Sequence, residues 1–566
     1  MVMLDQHGRR EEEDATSRNI LTPAPEDNAL LAQNVPISDD PTTTETWGSS
    51  GSEEIQYRYL SFESDIPLTP VIPPAAVKHD IPQCPNLRDY DDPFTWSKTR
   101  KNLMTYLSCA INVTASYTAG AYTAPAFQLT KKWGVSDVAY NVGITTFTCG
   151  FGFAPMVLAP FSEINGRRPV FITTGILFFV CQICCALTGS YGGMLVARFF
   201  VGVGGSTFST MVGGILADVW ITAERNTPMV MFTGATLLGT GLGPLVSGFI
   251  AQNLSWRWVF WVQAIPSGIL VSFVTLLFKE TRGTVILSRK AKLLNKWYEQ
   301  LEAAGALGME VESGDPQKPS KKCCRIRWKV QADEERASLG RMIVVSLYRP
   351  IHMLFTEPVV FFFSLWIAFA WGVLYLQFGA IPLVFETNHG FTLEQTGAVF
   401  AAVCVGALIS VVLSIYQEKW AFKHYPKISG SPEGRLTFTC VESTLMPIGI
   451  FWFGFTCYSS IPWIVPTLAI AVATMGIFSI YLSVFNYTAD VYNIYASSAL
   501  AAAGLTRNLL GGFFPLFTKQ MFQALGFQAA SGLVGGIGCV LTLVPWVLYF
   551  YGPKIRARSK IASQFT

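Results

Sequence analysis

The feature that most constrains this chain is an apolar run of about 20 residues that recurs twelve times between short polar turns. A helix of that length crosses a hydrocarbon layer about 30 Å thick, where a spanning segment must satisfy its own backbone polar groups. The pattern predicts an all-α membrane protein with twelve transmembrane helices in two six-helix halves. The predicted spans are residues 102–128, 138–160, 170–188, 194–217, 229–251 and 258–278, then 357–384, 395–416, 438–458, 463–485, 497–518 and 528–551.

Charged side chains avoid these runs. Of the 79 charged residues, 27 lie in residues 1–101 and 24 in residues 279–350, which leaves 28 for the other 393 residues. A soluble domain carries roughly 25% charged residues, so an ordinary cytosolic enzyme is excluded. The net charge of +3 offers no broad basic surface, which argues against a nucleic-acid partner.

The charge distribution divides the chain into five segments. Residues 1–100 are predicted to be a disordered acidic cytoplasmic tail, because acidic residues dominate and no apolar period is sustained. Residues 101–278 and 353–551 are the two halves, residues 279–352 are a cytoplasmic linker, and residues 552–566 are a basic tail. Short loops hold eleven basic residues on the side of the termini and four on the other side. That bias predicts that both termini are cytoplasmic.

Part of the linker has the pattern of a basic amphipathic helix, over residues 285–303. Such a helix either lies on the inner leaflet of the membrane or is simply solvated. The sequence alone leaves these two interpretations open.

No motif of a nucleotide site, a zinc protease or a nucleophile elbow occurs in the chain. The sequence therefore predicts no enzyme activity, no catalytic residue, no metal and no cofactor. If the protein transports a substrate, the energy comes from an ion gradient or the substrate moves downhill.

Ionisable groups inside the predicted spans are functional candidates, because placing a charge in lipid is costly. Arg198 lies near the outer end of the fourth span, Glu442 in the inner half of the ninth, and Arg507 midway along the eleventh. The alternative for both arginines is a structural clamp on backbone carbonyls. Asp218 and Glu163 mark inner ends of spans, where helix capping is the alternative.

Two sequence motifs, one in a loop and one in a span, have a physical rationale. The loop after the second span contains Glu163, Gly166, Arg167 and Arg168. Gly166 permits a tight turn, and the arginines can pair with carboxylates at neighbouring helix ends such as Asp218, which would form a conformational latch.

The fifth span contains Gly234, then eight residues, then Gly243, Pro244 and, after three more residues, Gly248. The proline removes a backbone donor and the glycines permit close packing, which favours a bend or a pivot.

With these motifs the chain resembles the major facilitator superfamily over roughly residues 100–560, and most of all its fungal twelve-span drug:proton antiporters, which include multidrug, polyamine and secondary-metabolite exporters. The loop resembles G-x-x-x-D-[RK]-x-G-[RK]-[RK], and Arg198 begins a stretch similar to R-x-x-Q-G, with Val201 in place of the glutamine. The fifth span resembles G-x8-G-P-x-x-G-G, with Ser247 in place of the penultimate glycine.

The resemblance implies roles for these residues. Arg198 would serve proton coupling, and Glu442 is a second candidate because a small residue is expected at that position. The latch would comprise Glu163, Gly166, Arg167, Arg168, Asp218 and Arg225. The antiporter motif would comprise Gly234, Gly243, Pro244 and Gly248. The substrate cavity would be lined by Tyr117, Tyr122, Gln128, Trp371, Tyr375, Gln377, Tyr481, Arg507 and Asn508.

The resemblance also implies the function. We expect a proton-coupled antiporter that exports small amphipathic or cationic compounds, such as drugs, toxins or secondary metabolites, and works as a monomer in the lipid bilayer. The plasma membrane is the predicted location, with the vacuolar membrane as the alternative. Proton-coupled uptake of nutrients or polyamines, and a non-transporting receptor on the same fold, are the competing interpretations.

Overall fold

Long helices dominate the part of the chain that the computed structural model describes. That part is residues 55–72, 81–222, 224–312, 321–336, 338–424, 432–492, 495–559 and 561–565.

The described residues of the first half form six long helices and one short one. Serine side chains cap three of the long helices, because Ser97, Ser136 and Ser190 each accept a backbone N–H of the first turn. The helices are α1 (Lys98–Ala121), α2 (Ala126–Trp133), α3 (Asp137–Asn165), α4 (Arg167–Leu187), α5 (Tyr191–Val219), α6 (Asn226–Asn253) and α7 (Arg257–Leu277).

The described residues of the linker form three helices, α8 (Gly283–Ala303), α9 (Gln331–Glu334) and α10 (Leu339–Thr356). Helix α10 extends past the predicted end of the linker at residue 352 and packs against α3, so it touches the first half.

The second half begins at Pro358, and three of its predicted spans are interrupted helices. Its helices are α11 (Pro358–His389), α12 (Leu393–Val399), α13 (Ala401–His424), α14 (Thr437–Glu442), α15 (Leu445–Thr456), α16 (Ile464–Tyr492), α17 (Ala496–Leu525), α18 (Phe527–Leu541) and α19 (Leu543–Arg558).

Ten helical segments of the described chain are long and apolar enough to cross a membrane. The other two predicted spans, α1 and α17, are 24 and 30 residues long but are more polar. Their polar side chains are buried inside the bundle, as Asn112 on α1 and Arg507 on α17 show. Helix α1 packs along α6, and α17 packs along α11 and α3. The twelve predicted spans therefore all correspond to helices of the bundle, and the predicted fold class is confirmed.

A small α/β unit lies beside the bundle, where the linker leaves α7. Its sheet has the order β1-β4-β3-β2, with β1 (Ile55–Tyr59) parallel to β4 (Lys321–Lys329). Strand β3 (Gly308–Glu312) is antiparallel to both β4 and β2 (Pro70–Val71).

The core of this unit brings linker residues together with residues that precede the first span. Leu60, Trp297, Tyr298, Ile326 and Trp328 are all buried in it. The prediction of disorder for residues 1–100 is therefore wrong for residues 55–72 and 81–100, because the apolar side chains of that segment pack against a distant part of the chain. Residues 1–54 lie outside the described residues.

The apolar face of α8 is covered by this sheet. Leu294, Trp297 and Leu301 are each less than 5% exposed. The amphipathic pattern of residues 285–303 thus reflects packing against protein, and neither a membrane-surface helix nor a solvated helix describes it.

Candidate functional site

A cavity of about 1110 Å³ lies between the two halves. It extends from Asn226 and Asp490, at the ends of α6 and α16, to Gly152, Arg507 and Asn508 near the middle of α3 and α17. We call the end at Asn226 and Asp490 the linker side, because α7 delivers the chain to the linker there. The cavity is open at the linker side and ends about halfway through the bundle.

On the opposite side the two halves contact each other directly. The Asn141 amide donates to the carbonyl of Pro515 over 3.0 Å, and the Thr145 hydroxyl donates to the carbonyl of Gly512 over 2.8 Å. Lys519 forms an ion pair with Asp137 across the same seam. These contacts join α3 to α17 and close the bundle above the cavity.

At the linker side, the carboxylate of Asp218, at the end of α5, forms ion pairs with two arginines. Its Oδ2 lies 3.2 Å from Nε of Arg167, and its Oδ1 lies 3.4 Å from Nη1 of Arg282. Glu280 accepts the backbone N–H of Arg167 over 2.8 Å. The predicted pairing of Arg167 with Asp218 is present. Arg282 and Glu280 were missed, although both stand in a charged stretch at the end of the sixth span.

Gly166 makes this cluster possible. Its φ of +100° lies in the region that favours glycine, and a Cβ would be 2.1 Å from Oε2 of Glu280. Any other side chain would displace the glutamate that caps α4.

The other predicted latch residues have different partners. Nη2 of Arg168 donates to the carbonyl of Thr275 over 3.1 Å, and Nε of Arg225 donates to the carbonyl of Trp220 over 3.4 Å. Glu163 borders the cavity. Neither Arg168 nor Arg225 pairs with Asp218, because each guanidinium group reaches a backbone carbonyl instead.

The second half carries a comparable set of charges on the same side. Arg435 forms an ion pair with Asp490 at the end of α16, and Arg556 pairs with Glu433 at 2.9 Å. The motifs of the sequence did not indicate these two ion pairs.

Arg198 is 1% exposed and lies inside the first half. Its Nε donates to the carbonyl of Gly143 over 3.2 Å, and its Nη1 donates to the carbonyl of Thr118 over 3.1 Å. The guanidinium group also lies over the rings of Tyr122 and Phe147. This geometry is that of a clamp joining α1, α3 and α5.

Arg507 is also 1% exposed, but it borders the closed end of the cavity. Its guanidinium carbon lies 4.8 Å from the ring centre of Trp371 and 5.1 Å from that of Tyr481. Neither Nε nor Nη1 has a hydrogen-bond partner among the described residues. Asn508 borders the same end of the cavity.

Seven of the nine side chains predicted to line the cavity do not border it. Trp371 and Tyr481 stand behind Arg507, and the Gln128 amide donates to the carbonyl of Ala251 on the opposite side. In this arrangement the bundle is closed on that side, so these side chains do not border the cavity. The seven are Tyr117, Tyr122, Gln128, Trp371, Tyr375, Gln377 and Tyr481.

Glu442 does not border the cavity either. Its Oε1 accepts Nε2 of Gln417 over 2.5 Å, and its neighbour Val441 is 64% exposed on the outside of the bundle. In this arrangement Glu442 therefore lies towards the outside of the bundle, at the end of α14.

The glycines of the fifth-span motif are positions of close approach. A Cβ on Gly243 would be 2.5 Å from the carbonyl oxygen of Tyr117 on α1. A Cβ on Gly234 would be 2.2 Å from Val411 of α13, in the other half. A Cβ on Gly248 would lie 3.0 Å from Cα of Gly397 on α12. Helix α6 therefore packs tightly on both α1 and the second half, and Pro244 lies inside this stretch.

The cavity wall is rich in arginine. Eight arginines and three carboxylates border it among the described residues, without lysine or histidine. Most of these arginines lie in loops or in the linker, where the sequence did not indicate a cavity. The arginines are Arg167, Arg225, Arg282, Arg336, Arg341, Arg349, Arg435 and Arg507, and the carboxylates are Glu163, Glu335 and Asp490.

The fold and this central cavity agree with a sequence comparison. The profile of the Major Facilitator Superfamily matches residues 108–515. The chain belongs to this superfamily. It is a multi-pass membrane transporter and not an enzyme.

Relatives and solved structures agree with this assignment. The MFS-type transporter paaT of Penicillium rubens is 33% identical over 84% of this chain and 82% of its own. The efflux pump FUB11 of Gibberella moniliformis is 30% identical over 83% of this chain and 75% of its own. The multidrug transporter mdrA of Aspergillus fumigatus is 31% identical over 84% of this chain and 75% of its own. The proton:xylose symporter XylE has the same fold, with a TM-score of 0.56 at 15% identity over 80% of this chain and 97% of its own.

Proposed function

We propose that this transporter is a proton-coupled antiporter that exports small amphipathic compounds. The observation that carries the proposal is the cavity, which opens at the linker side and ends at a seam closed by contacts between the halves. Relatives that bear the names efflux pump and multidrug transporter support the outward direction.

The linker side is the cytoplasmic side in this proposal, because the short loops there carry most of the basic residues. Both termini are then cytoplasmic, and the cavity loads from the cytoplasm. The plasma membrane is the proposed location, and the monomer is the proposed transporting unit.

Export requires the two halves to rock about the midplane site. A proton drives this motion only if it binds one arrangement more tightly than the other. Asp218 and Asp490 lie at the ends of α5 and α16, each paired with arginine. Protonation of either carboxylate weakens its ion pair, which loosens the contacts that hold the linker side in its present arrangement.

Arg198 is proposed to take part indirectly. It ties α1 to α3 and α5 through backbone carbonyls, so it transmits a shift of one helix to the other two. Glu442 is the weaker candidate for proton binding, because it lies outside the cavity.

The test is efflux from a transporter-depleted fungal host with a panel of azoles, cycloheximide, a cationic dye and spermine. An uncoupler and Asp218→Asn are each expected to abolish efflux of any compound that the wild type exports. Arg198→Ala is expected to reduce efflux, and Glu442→Gln to leave it intact. If only Glu442→Gln loses efflux, the proton site lies on α14. If an uncoupler has no effect on efflux, the antiport proposal is wrong.

Proton-coupled uptake and a receptor function remain the competing hypotheses. Uptake is distinguished by accumulation of the panel compounds when the outside is acidic. The receptor hypothesis rests on the acidic tail. Because residues 55–72 belong to the α/β unit, the informative truncation removes only residues 1–54. A truncated protein that still exports would argue against the receptor function.

A further inference from the structure

The most unusual group in the cavity is Arg507. It is a buried cation, and no carboxylate of the described residues forms an ion pair with it. Its Nε and Nη1 find no acceptor in the described part of the chain, and aromatic rings cover the guanidinium group from behind. A buried cation without an anionic partner is unfavourable, so it favours binding of an anion from the cavity.

The wall that leads to Arg507 has the matching charge. Four of the eight cavity arginines are already held by aspartates, through the pairs to Asp218, Asp333 and Asp490. The other four, Arg225, Arg341, Arg349 and Arg507, form no ion pair among the described residues. Only two carboxylates of the wall, Glu163 and Glu335, are likewise without an ion pair there. The cleft therefore attracts anions and repels cations.

The rest of the closed end suits an apolar body. Met156, Met211, Phe485 and Leu505 border the same cavity as Arg507. Methionine side chains adapt to irregular shapes, and Phe485 stacks on Tyr481 with ring centres 4.8 Å apart. A guanidinium group can hold a carboxylate with two parallel hydrogen bonds.

We propose that the substrate is a small organic anion with an apolar body, whose carboxylate binds Arg507 at the closed end of the cavity. This inference rests on the proposed transport function and narrows its substrate class. It replaces the expectation of cationic substrates, because the free charges of the wall are mostly positive.

The charge of the substrate has a measurable consequence for the cycle. Export of a monovalent anion in exchange for one proton moves two positive charges inward in effect, whereas export of a monovalent cation in the same exchange moves none. A negative membrane potential inside therefore assists export of the anion and does not assist export of the cation.

The test uses the full chain, purified and placed in lipid nanodiscs. Binding is measured for matched carboxylate, methyl ester and primary amine compounds built on phenylpropyl, naphthylmethyl and indolylpropyl bodies. We expect at least one carboxylate to bind roughly ten-fold tighter than its ester and its amine, a difference of one charge-assisted contact. Arg507→Gln should remove this preference, and Arg507→Lys should retain part of it.

Arg558→Gln is the matched control, because Arg558 lies exposed near the end of α19. It should bind like the wild type. The inference fails if no carboxylate is preferred on any of the three bodies, or if the preference survives in monodisperse Arg507→Gln. Binding needs no proton gradient, so a preferred carboxylate that is not exported in vesicles would count against the antiport proposal alone. Export of amines alone would overturn the anion inference and leave antiport standing.

Discussion

Gly248 of α6 and Gly397 of α12 face each other across the seam between the two halves. A Cβ added to Gly248 would lie 3.0 Å from Cα of Gly397 and 3.0 Å from the carbonyl oxygen of Leu393. Both neighbours are backbone atoms, so neither can rotate away as a side chain would. The seam on the side opposite the linker is thus packed backbone to backbone at these two glycines.

Gly248→Val is expected to hold this seam open. Overpacking of this kind costs about 1–3 kcal/mol, which shifts an equilibrium between two arrangements about 5- to 150-fold. Hydrogen exchange in residues 393–399 should therefore speed up, and transport should fall. Gly536→Val is the control, because a Cβ at Gly536 meets no atom within 4 Å. Equal exchange in both variants would contradict the prediction.

Asp218→Asn is expected to destabilise the linker side far more than Arg282→Ala. Asp218 and Arg167 have side chains only 13% and 9% exposed, so loss of the carboxylate leaves a nearly buried guanidinium group without its anion. Such a loss costs about 3 kcal/mol. The Arg282 side chain is 32% exposed, and its pair should contribute less than about 1 kcal/mol. Thermal unfolding in nanodiscs measures both, and equal losses would refute this ranking.

The α/β unit offers a prediction on pH. Hydrogen bonds from Arg327 and Arg325 lower the pKa of Glu302 from 4.5 to about 2. A carboxyl whose pKa is lower in the folded state stabilises the fold above its unfolded pKa, and this contribution disappears as the pH falls through about 2.

Glu302→Gln should therefore be cleaved faster than the wild type by thermolysin at pH 7. The difference between the two proteins should shrink when pepsin is used at decreasing pH from about 4.5 to 2. A difference that stays constant over that pH range would show that the effect comes from side-chain shape and not from charge.

Leu60→Ala should destabilise the α/β unit and leave the bundle intact. Leu60 is 4% exposed in the core of that unit, and truncation of a buried leucine costs about 2–5 kcal/mol. Leu68→Ala is the matched control, because Leu68 is 50% exposed and surface changes usually cost less than about 0.5 kcal/mol. Limited proteolysis of the linker distinguishes the two variants. Similar protection in both would mean that Leu60 does not hold the sheet.

Much of the bundle was predictable because hydrophobicity acts locally along the chain. Each predicted span corresponds to a helix, and the pairing of Arg167 with Asp218 followed from their positions at neighbouring helix ends. The rotation of each helix about its axis was not predictable. Tyr122 was expected in the cavity, yet it stacks on Tyr140 in the closed part, because a single sequence does not say which face of α1 meets the cavity in a given arrangement.

The charged wall was missed for a different reason. Arg341 and Arg349 belong to α10, which the sequence places in a polar linker. Only the packing of α10 against α3 and α17 brings these arginines to the cavity. Strand β1 was missed for a similar reason. Its partner strand is far away in the chain, and the composition of residues 1–100 alone indicates disorder.

The pairing of β1 with β4 constrains the order of events during synthesis and folding of the protein. Ile55 lies opposite Arg325, so β1 leaves the ribosome long before its partner exists, and all six spans of the first half are made in between. Strand β4 can pair with β1 only after those six spans have been inserted and the linker has emerged on the same side of the membrane as β1. A chain in which one of these six spans failed to insert would leave the two strands on opposite faces of the membrane, where they could not pair.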